Sequence, residues 1–480
     1  MHSSSSPHQH GQLVSQAARS LVGGKRAMVI GLAREGVDLT RFLTAHGASV
    51  VVTDQKPAQQ LQEAMGQIAD AATADLSQGN GDSRTGVVTY RLGGHSVHDL
   101  DGVDVVYASP GVPPEHELVQ AARKRGIQLT SLIELFFALC PALILGVTGS
   151  AGKSTTTSLI GDIFAAAGRE VFVGGNIGRP LLGKLDQISA SSWVVMELSS
   201  FQLEPLQVSP HVALVTNVTP NHLDRHSSMR AYWAAKGQIL AHQAATDWAV
   251  LNADDEWTLR YRPSARVLHF SLEGAVEGAY LAGPQLMLLG EPLLEVSEVP
   301  LRGRHNLANV LAAMAASHAA SIERQPMRAA VQAFKGVPHR LQKVAEREGV
   351  QFVDDSIATA PERSIAALRA YDEPIVLVAG GRDKHLPMQQ WADLIARRVK
   401  HVVLLGEMSD LIARAIHVSD PGYAAISRAA SMTEAVSQAA RVARSGDVVL
   451  LSPGGTSYDM YADFEERGRD FARAIGELQG

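Results

Sequence analysis

One stretch constrains this chain more than any other: Gly146-Val147-Thr148-Gly149-Ser150-Ala151-Gly152-Lys153-Ser154-Thr155. The apolar run Leu143-Ile144-Leu145 leads into it and reads as a buried strand, and the pattern from Ser158 to Phe164 reads as a helix. A glycine-rich turn between strand and helix points backbone N–H groups into one cup. The helix N-terminus adds partial positive charge there, and Lys153 adds a full one. Such a turn, from Gly149 through Ser150, Ala151, Gly152, Lys153, Ser154 and Thr155, suits the phosphates of a nucleoside triphosphate. A Ser154 or Thr155 hydroxyl is then placed for a phosphate-bound Mg²⁺. The usual motif has a glycine where Val147 stands, so the match is to a shortened form.

A chain of 480 residues is too long for one core and implies two to three domains. Its 43 basic against 49 acidic residues, net −6, argue against a protein held to nucleic acid by phosphate electrostatics. The one cysteine, Cys140, excludes an intrachain disulfide and a Cys-rich metal site, and fits a reducing cytoplasm. No apolar run is long enough to span a bilayer, so no membrane insertion is expected. Met1 to Gly11 is Ser/His-rich without an apolar stretch, and residues 1–24 read as a disordered tail.

Strands and helices alternate in three blocks, which implies α/β domains with mainly parallel sheets. Residues 25–133 form the first, with strands at Ala27–Gly31, Ser49–Asp54 and Asp104–Ala108 and a loop over Ala71–Arg84. Residues 134–336 form the second, with strands around Val171, Trp193–Glu197, Val212–Val218 and Trp248–Asn252, and hairpins between Arg266 and Pro300. Residues 337–480 form the third. The expected fold is a Rossmann-like N-terminal domain, a central P-loop ATPase-type domain and a Rossmann-like C-terminal domain.

Each block carries candidate chemistry at its strand ends, where open α/β sheets bind ligands. In the second, Glu197 closes an apolar strand and is placed to face a nucleotide metal. His222, Asp224 and His226 crowd the end of the next strand. Lys236, in a helical run, reads as a surface lysine. In the first block, Gly31 to Gly36, including Arg34 and Glu35, opens a helix toward a diphosphate, and Asp54 is placed to meet a ribose or base. Ala33 replaces the middle glycine of the dinucleotide fingerprint. The third block offers Pro338-His339-Arg340, Asp354-Asp355-Ser356 with Thr359, Gly380-Gly381-Arg382-Asp383-Lys384 and Ser452 to Ser457. Its cationic groups suit an anionic substrate.

Taken in order, these segments resemble the Mur ligases, the ATP-dependent amide ligases of cell-wall peptide synthesis. The resemblance runs from about residue 25 to the end. It rests on Thr148 to Thr155, Gly174-Gly175-Asn176-Ile177-Gly178, Glu197 to Leu203, Asn217 to Asp224, Gly303 to Asn309, Pro338-His339-Arg340 and Asp355-Ser356. Within the family, Ser199 to Glu204, Ser109-Pro110-Gly111 and Leu451 through Gly468 look most like the members that add D-glutamate to UDP-N-acetylmuramoyl-L-alanine.

The resemblance implies ATP, UDP-N-acetylmuramoyl-L-alanine and glutamate as partners, two Mg²⁺ ions, a cytoplasmic location and a monomer. It implies catalytic roles for Lys153, Glu197, His222 and Lys236. Metal ligands would be Ser154, Glu197, His222 and Lys236, the last as a carbamate. Asn309, Arg340 and Asp355 would contact ATP. Arg34, Glu35, Gly36, Asp54, Ser109, Pro110, Gly111, Asn176 and Gln202 would hold the UDP-linked substrate, and Thr359, Lys384, Ser457 and Tyr461 the glutamate. Three departures accompany it: Ser150-Ala151 replaces Thr-Asn, Ile357 replaces a lysine after Asp-Ser, and Ala33 replaces a glycine. Two further ligase readings stay open, an L-glutamate-adding sister enzyme and a folylpolyglutamate synthase-like enzyme; the uridine-type first block argues against the second. From another class, a non-catalytic nucleotide-binding switch is opposed by the intact set Lys153, Glu197, His222 and Lys236.

Overall fold

The computed structural model describes residues 7–77, 86–176, 181–221, 225–301, 303–383 and 386–478. They form three sheets flanked by helices, in two compact units, Met1–Phe334 and Lys335–Gly480. The three-block α/β reading holds.

The first sheet is entirely parallel, in the spatial order Val88–Leu92, Ser49–Asp54, Arg26–Ile30, Val105–Ala108, Gln128–Thr130. Because strand side chains alternate, Val29, Val50 and Val52 enter one core while Met28, Ile30 and Val51 enter another on the opposite face. Strand order reverses around Arg26–Ile30, and this opens a crevice at the C-terminal rim.

The central sheet has nine strands. Val171–Gly175, Trp193–Glu197, Leu143–Thr148, Val212–Val215, Trp248–Asn252 and Arg266–Ser271 run parallel. Gly278–Ala282 continues parallel and then turns into an antiparallel meander with Gln285–Leu288 and Glu291–Glu295, which supplies the expected hairpins. Leu143–Thr148 lies between Trp193–Glu197 and Val212–Val215, so the glycine-rich turn emerges at the switch point of this sheet. One face of the sheet (Ile144, Val194, Met196, Ala213, Val215) shares a continuous core with the first sheet (Val29, Val50, Val52). This shared apolar core explains why two sheets make one compact unit.

In the second unit, the order is Gln342–Arg347, Val350–Asp354, Val448–Gly454, Ile375–Gly380, Val399–Leu405, Ile426–Ala429, parallel except for the first pair.

Two local expectations need correction. The span read as a disordered tail contains a helix, Pro7–Val22. Val14, Ala18 and Val22 recur every fourth residue and are buried in the core shared by the first two sheets, which holds the helix down. The span read as a loop from Ala71 begins inside a helix, Gln62–Ser77; its small and apolar residues Ala71, Ala72, Ala74 and Leu76 sustain helical propensity ahead of the Gly/Ser-rich segment. Residues 78–85 lie outside the described set. Among the described residues no helix is long and apolar enough to cross a membrane.

Candidate active site

The glycine-rich turn is built as expected between Leu143–Thr148 and the helix Lys153–Ala166. Gly149 and Gly152 take φ values of 150° and 84°, which disfavour L side chains. Space enforces the same choice. A Cβ on Gly149 would stand 1.9 Å from Thr216 Oγ1, and one on Gly152 would stand 2.2 Å from Asn309 Oδ1. Asn309, on the helix Arg304–Ala319, thus lies directly against the turn.

The turn is strapped to the neighbouring strand end. Ser150 N–H donates to Asn217 O at 2.9 Å, Ala151 N–H donates to Asn217 Oδ1 at 3.0 Å, and Thr216 Oγ1 donates to Ala151 O at 2.6 Å. Ser150 Oγ donates to Thr219 O at 2.9 Å and lies 3.1 Å from the Tyr232 hydroxyl. The departure at Ser150-Ala151 therefore keeps a hydroxyl where the strap needs one, and places an exposed methyl where it needs only backbone.

Two lysine side-chain nitrogens converge on this turn. Lys153 Nζ donates to Gly149 O at 2.9 Å and to Ser150 O at 3.3 Å. Lys236 Nζ donates to the same Gly149 carbonyl at 2.8 Å and lies 4.6 Å from the Tyr232 ring centroid. Lys236 is not a surface lysine: it is 1% exposed. Its helix, Met229–Ala241, turns Tyr232, Ala235, Lys236, Ile239 and Leu240 inward, a stripe with the spacing of a buried helix face. Reading that stripe through Lys236 rather than around it would have found the burial. Loss of solvent, then the charge of Lys153, bring the Lys236 pKa down to about 6, with Glu197 opposing. At neutral pH Lys236 is mostly a free amine.

Glu197 ends its strand 2% exposed. Its Oε1 accepts a hydrogen bond from Asn176 Nδ2 at 2.8 Å, while Oε2 is buried with no protein partner. An unmatched buried carboxylate oxygen is costly and calls for a cation. Together with the Ser154 hydroxyl it offers the hard oxygen donors that Mg²⁺ prefers, so the residues fit that ion. Among the described residues no group of three or more His, Cys, Asp or Glu side chains is gathered as a metal cluster. His222 and Asp224 lie outside the described residues. His226 is buried away from any such role: its Nε2 sits 3.0 Å from Ser200 Oγ, and its ring stacks on Phe201.

At the rim of the first sheet, Gly31 has φ 94°, and a Cβ on Gly36 would meet Gly31 O at 2.1 Å, so the turn closes tightly onto the helix Arg34–Ala45. Asp54 carries this turn: its two oxygens accept Leu32 N–H at 2.7 Å and Lys56 N–H at 2.9 Å. Ser109 Oγ reaches Gly31 O at 3.3 Å. Gln202 joins the two rims. Its Oε1 accepts Ser199 N–H at 2.9 Å in a capping box, and its Nε2 donates to Glu35 Oε1 at 2.8 Å. Burial raises the Glu35 pKa. Arg225 donates to Gly111 O at 3.1 Å, a second tie the sequence reading missed.

In the second unit the predicted residues gather at neighbouring strand ends. Asp355 follows Val350–Asp354 and Ser457 follows Val448–Gly454. The loops are joined through Gly454 N–H to Ala358 O at 2.9 Å and through paired backbone bonds between Arg382 and Thr456. Asp355 accepts Ser452 Oγ at 2.8 Å and Leu341 N–H at 3.3 Å, and burial pushes its pKa up to about 7. Arg340 adjoins this aspartate through the loop that Leu341 N–H anchors. Tyr461 turns its hydroxyl to Asp470 at 2.8 Å. Arg467, which the sequence reading passed over, is 3% exposed and donates to Ser356 O at 2.8 Å and Gly455 O at 3.2 Å. Lys384 lies outside the described residues.

Known proteins share this architecture. Family models match at residues 25–131 (Mur ligase MurD-like, N-terminal domain), 147–317 (Mur ligase middle domain) and 339–455 (Mur ligase, glutamate ligase domain). Similar curated proteins include UDP-N-acetylmuramoylalanine--D-glutamate ligases from Symbiobacterium thermophilum and Pelotomaculum thermopropionicum. Each is 41% identical over 464 residues, spanning 95% of this chain and 98% of the relative. Among solved structures, the UDP-N-acetylmuramate-alanine ligase MurC of Thermotoga maritima matches with TM-score 0.57 at 18% identity, over 95% of this chain and 100% of that one. MurF of Acinetobacter baumannii matches with TM-score 0.55 at 15% identity, over 97% and 98%. With matched domains along most of its length and close relatives over nearly all of it, the chain belongs to the Mur ligase family.

Proposed function

We propose that the chain is an ATP-dependent ligase that joins D-glutamate to the L-alanyl carboxylate of UDP-N-acetylmuramoyl-L-alanine in peptidoglycan precursor synthesis. The observation that carries this reading is the buried amine of Lys236 set on the phosphate turn beside Glu197, in a chain 41% identical to D-glutamate ligases.

A carboxylate does not condense with an amine in water. Transfer of the ATP γ-phosphoryl group to the alanyl carboxylate forms an acyl phosphate and releases ADP. The glutamate amine then attacks the acyl carbon, and the tetrahedral intermediate expels phosphate. The turn N–H groups and Lys153 hold the phosphates and offset their charge. Lys153 now spends its donors on Gly149 and Ser150 carbonyls and would exchange them for phosphate oxygens. Mg²⁺, as two ions, would be held by Ser154, Glu197, His222 and a carbamate of Lys236, and would supply screening between the carboxylate and the γ-phosphate.

A neutral Lys236 amine can add to CO₂, losing one proton and forming a carbamate anion. That step turns an uncharged amine, whose cationic form is disfavoured beside Lys153, into an anionic oxygen donor attracted to it. Asp54 and the Gly31–Gly36 turn would hold the uridine diphosphate end, with Asn176 and Gln202 facing the muramoyl part. Asn309, Arg340 and Asp355 would meet ATP, and Thr359, Lys384, Ser457 and Tyr461 the glutamate.

Release of ADP from ATP, measured with UDP-N-acetylmuramoyl-L-alanine and each glutamate enantiomer in turn, tests the reading. ADP release with D-glutamate is expected. Release with L-glutamate alone would make this the sister ligase, and release with neither would overturn ligation of this substrate.

A further inference from the structure

Two histidines at the rim of the first sheet are unused by the chemistry above. His95 follows Gly93 and Gly94, whose φ values of 86° and 155° fold the chain back over the sheet end. Its Nδ1 lies 2.8 Å from Thr53 Oγ1, on the residue next to Asp54. His116 follows the Ser109-Pro110-Gly111 turn, and its Nδ1 accepts Leu118 N–H at 3.3 Å, capping the helix Glu117–Lys124. The two rings meet edge to face with centroids 4.7 Å apart. Burial, then the neighbouring His95, lower the His116 pKa, so its ring is neutral near pH 7. With Nδ1 accepting, the proton of neutral His116 sits on Nε2. Neither Nε2 has a protein partner among the described residues.

We propose that His95 and His116 recognise the uracil ring of the UDP-linked substrate and that the pair selects it over cytosine through His116, which donates from Nε2 to the C4 carbonyl. Three features carry this. Segments from two different strand ends bring the rings together at the ligand-binding rim. In each ring the Nδ1 edge faces the protein. An N–H donor suits a uracil carbonyl and opposes the amino group that cytosine carries in its place, so a built donor rejects the wrong base strongly. The proposal rests on the UDP-linked substrate reading above.

Asparagine places its amide near the position of Nδ1, and glutamine near that of Nε2. Titration of the full chain with UDP and with CDP, for wild type and for His95→Asn, His116→Asn and His116→Gln, separates binding from folding. The Asn variants keep the inner bonds and are expected to bind UDP roughly tenfold more weakly and to lose preference for UDP over CDP. His116→Gln is expected to retain part of that preference. Asn variants with wild-type UDP affinity and an unchanged UDP/CDP ratio would overturn the proposal while leaving the ligase reading intact. Failure of the wild-type chain to bind UDP would overturn both.

Discussion

The rim of the central sheet and the rim of the third sheet both bury charge, and they treat it in opposite ways. In the third, most of it is matched by protein, with Arg467 Nε a buried exception. Arg467 reaches two backbone carbonyls, Asp355 accepts two donors, and His339 pairs with Asp354 at 2.7 Å. In the central rim it is not. Glu197 Oε2 has no partner, and two lysines crowd one carbonyl. Matched charge holds loops in shape, whereas unmatched buried charge is costly and persists where a ligand completes it. The central rim is therefore where reaction chemistry is expected, and the third is where buried charge holds loops in shape.

The largest test of that contrast is Lys153→Ala. Loss of the cation proposed to hold the phosphates should lower the ligation rate by about a thousandfold with thermal stability little changed. An ADP-release rate near wild type would erase the distinction between the rims.

Lys236→Ala comes next. Ligation should fall by about a hundredfold and recover in part when a short-chain carboxylate is added, since the carboxylate would replace the oxygens of the proposed carbamate. Full activity without rescue would remove the carbamate from the account. The same residue has a pH signature. Its folded pKa of about 6 lies below the unfolded value near 10.5, so between these limits the unfolded chain binds more protons and stability rises with pH. Lys236→Met should flatten that rise in thermal-melt midpoints measured from pH 6 to 9 and raise the midpoint at neutral pH, at the cost of activity.

In the third rim the balance should reverse. Arg467→Ala leaves the Ser356 and Gly455 carbonyls without their donor and should destabilise the second unit by about 2–3 kcal/mol in denaturant unfolding. An unchanged midpoint would mean that matched charge there does not hold the loops. Smallest of all, Ala151→Asn should change ADP-release kinetics by less than about threefold, because the turn engages residue 151 through its backbone.

Much of this was legible from residue order. Glycine spacing and apolar runs located the glycine-rich turn between its strand and helix, and the acid ending Trp193–Glu197 was readable as the close of a buried strand. Burial of Lys236 was not, because a lysine on a helix is read as solvated until packing shows its face turned inward. The helix Pro7–Val22 was hidden by its Ser/His-rich start, although Val14, Ala18 and Val22 carry a helical repeat. Long-range partners were out of reach altogether. Gln202 meets Glu35 across 167 residues and Arg467 meets Ser356 across 111, and no local pattern encodes such pairs.

Crystals of the full chain grown with ADP, Mg²⁺ and UDP-N-acetylmuramoyl-L-alanine test the central contrast most directly. The account predicts phosphate density cradled by Gly149 to Ser154 and a metal ion on Glu197. Nucleotide bound elsewhere, with Glu197 still turned away from any cation, would contradict it.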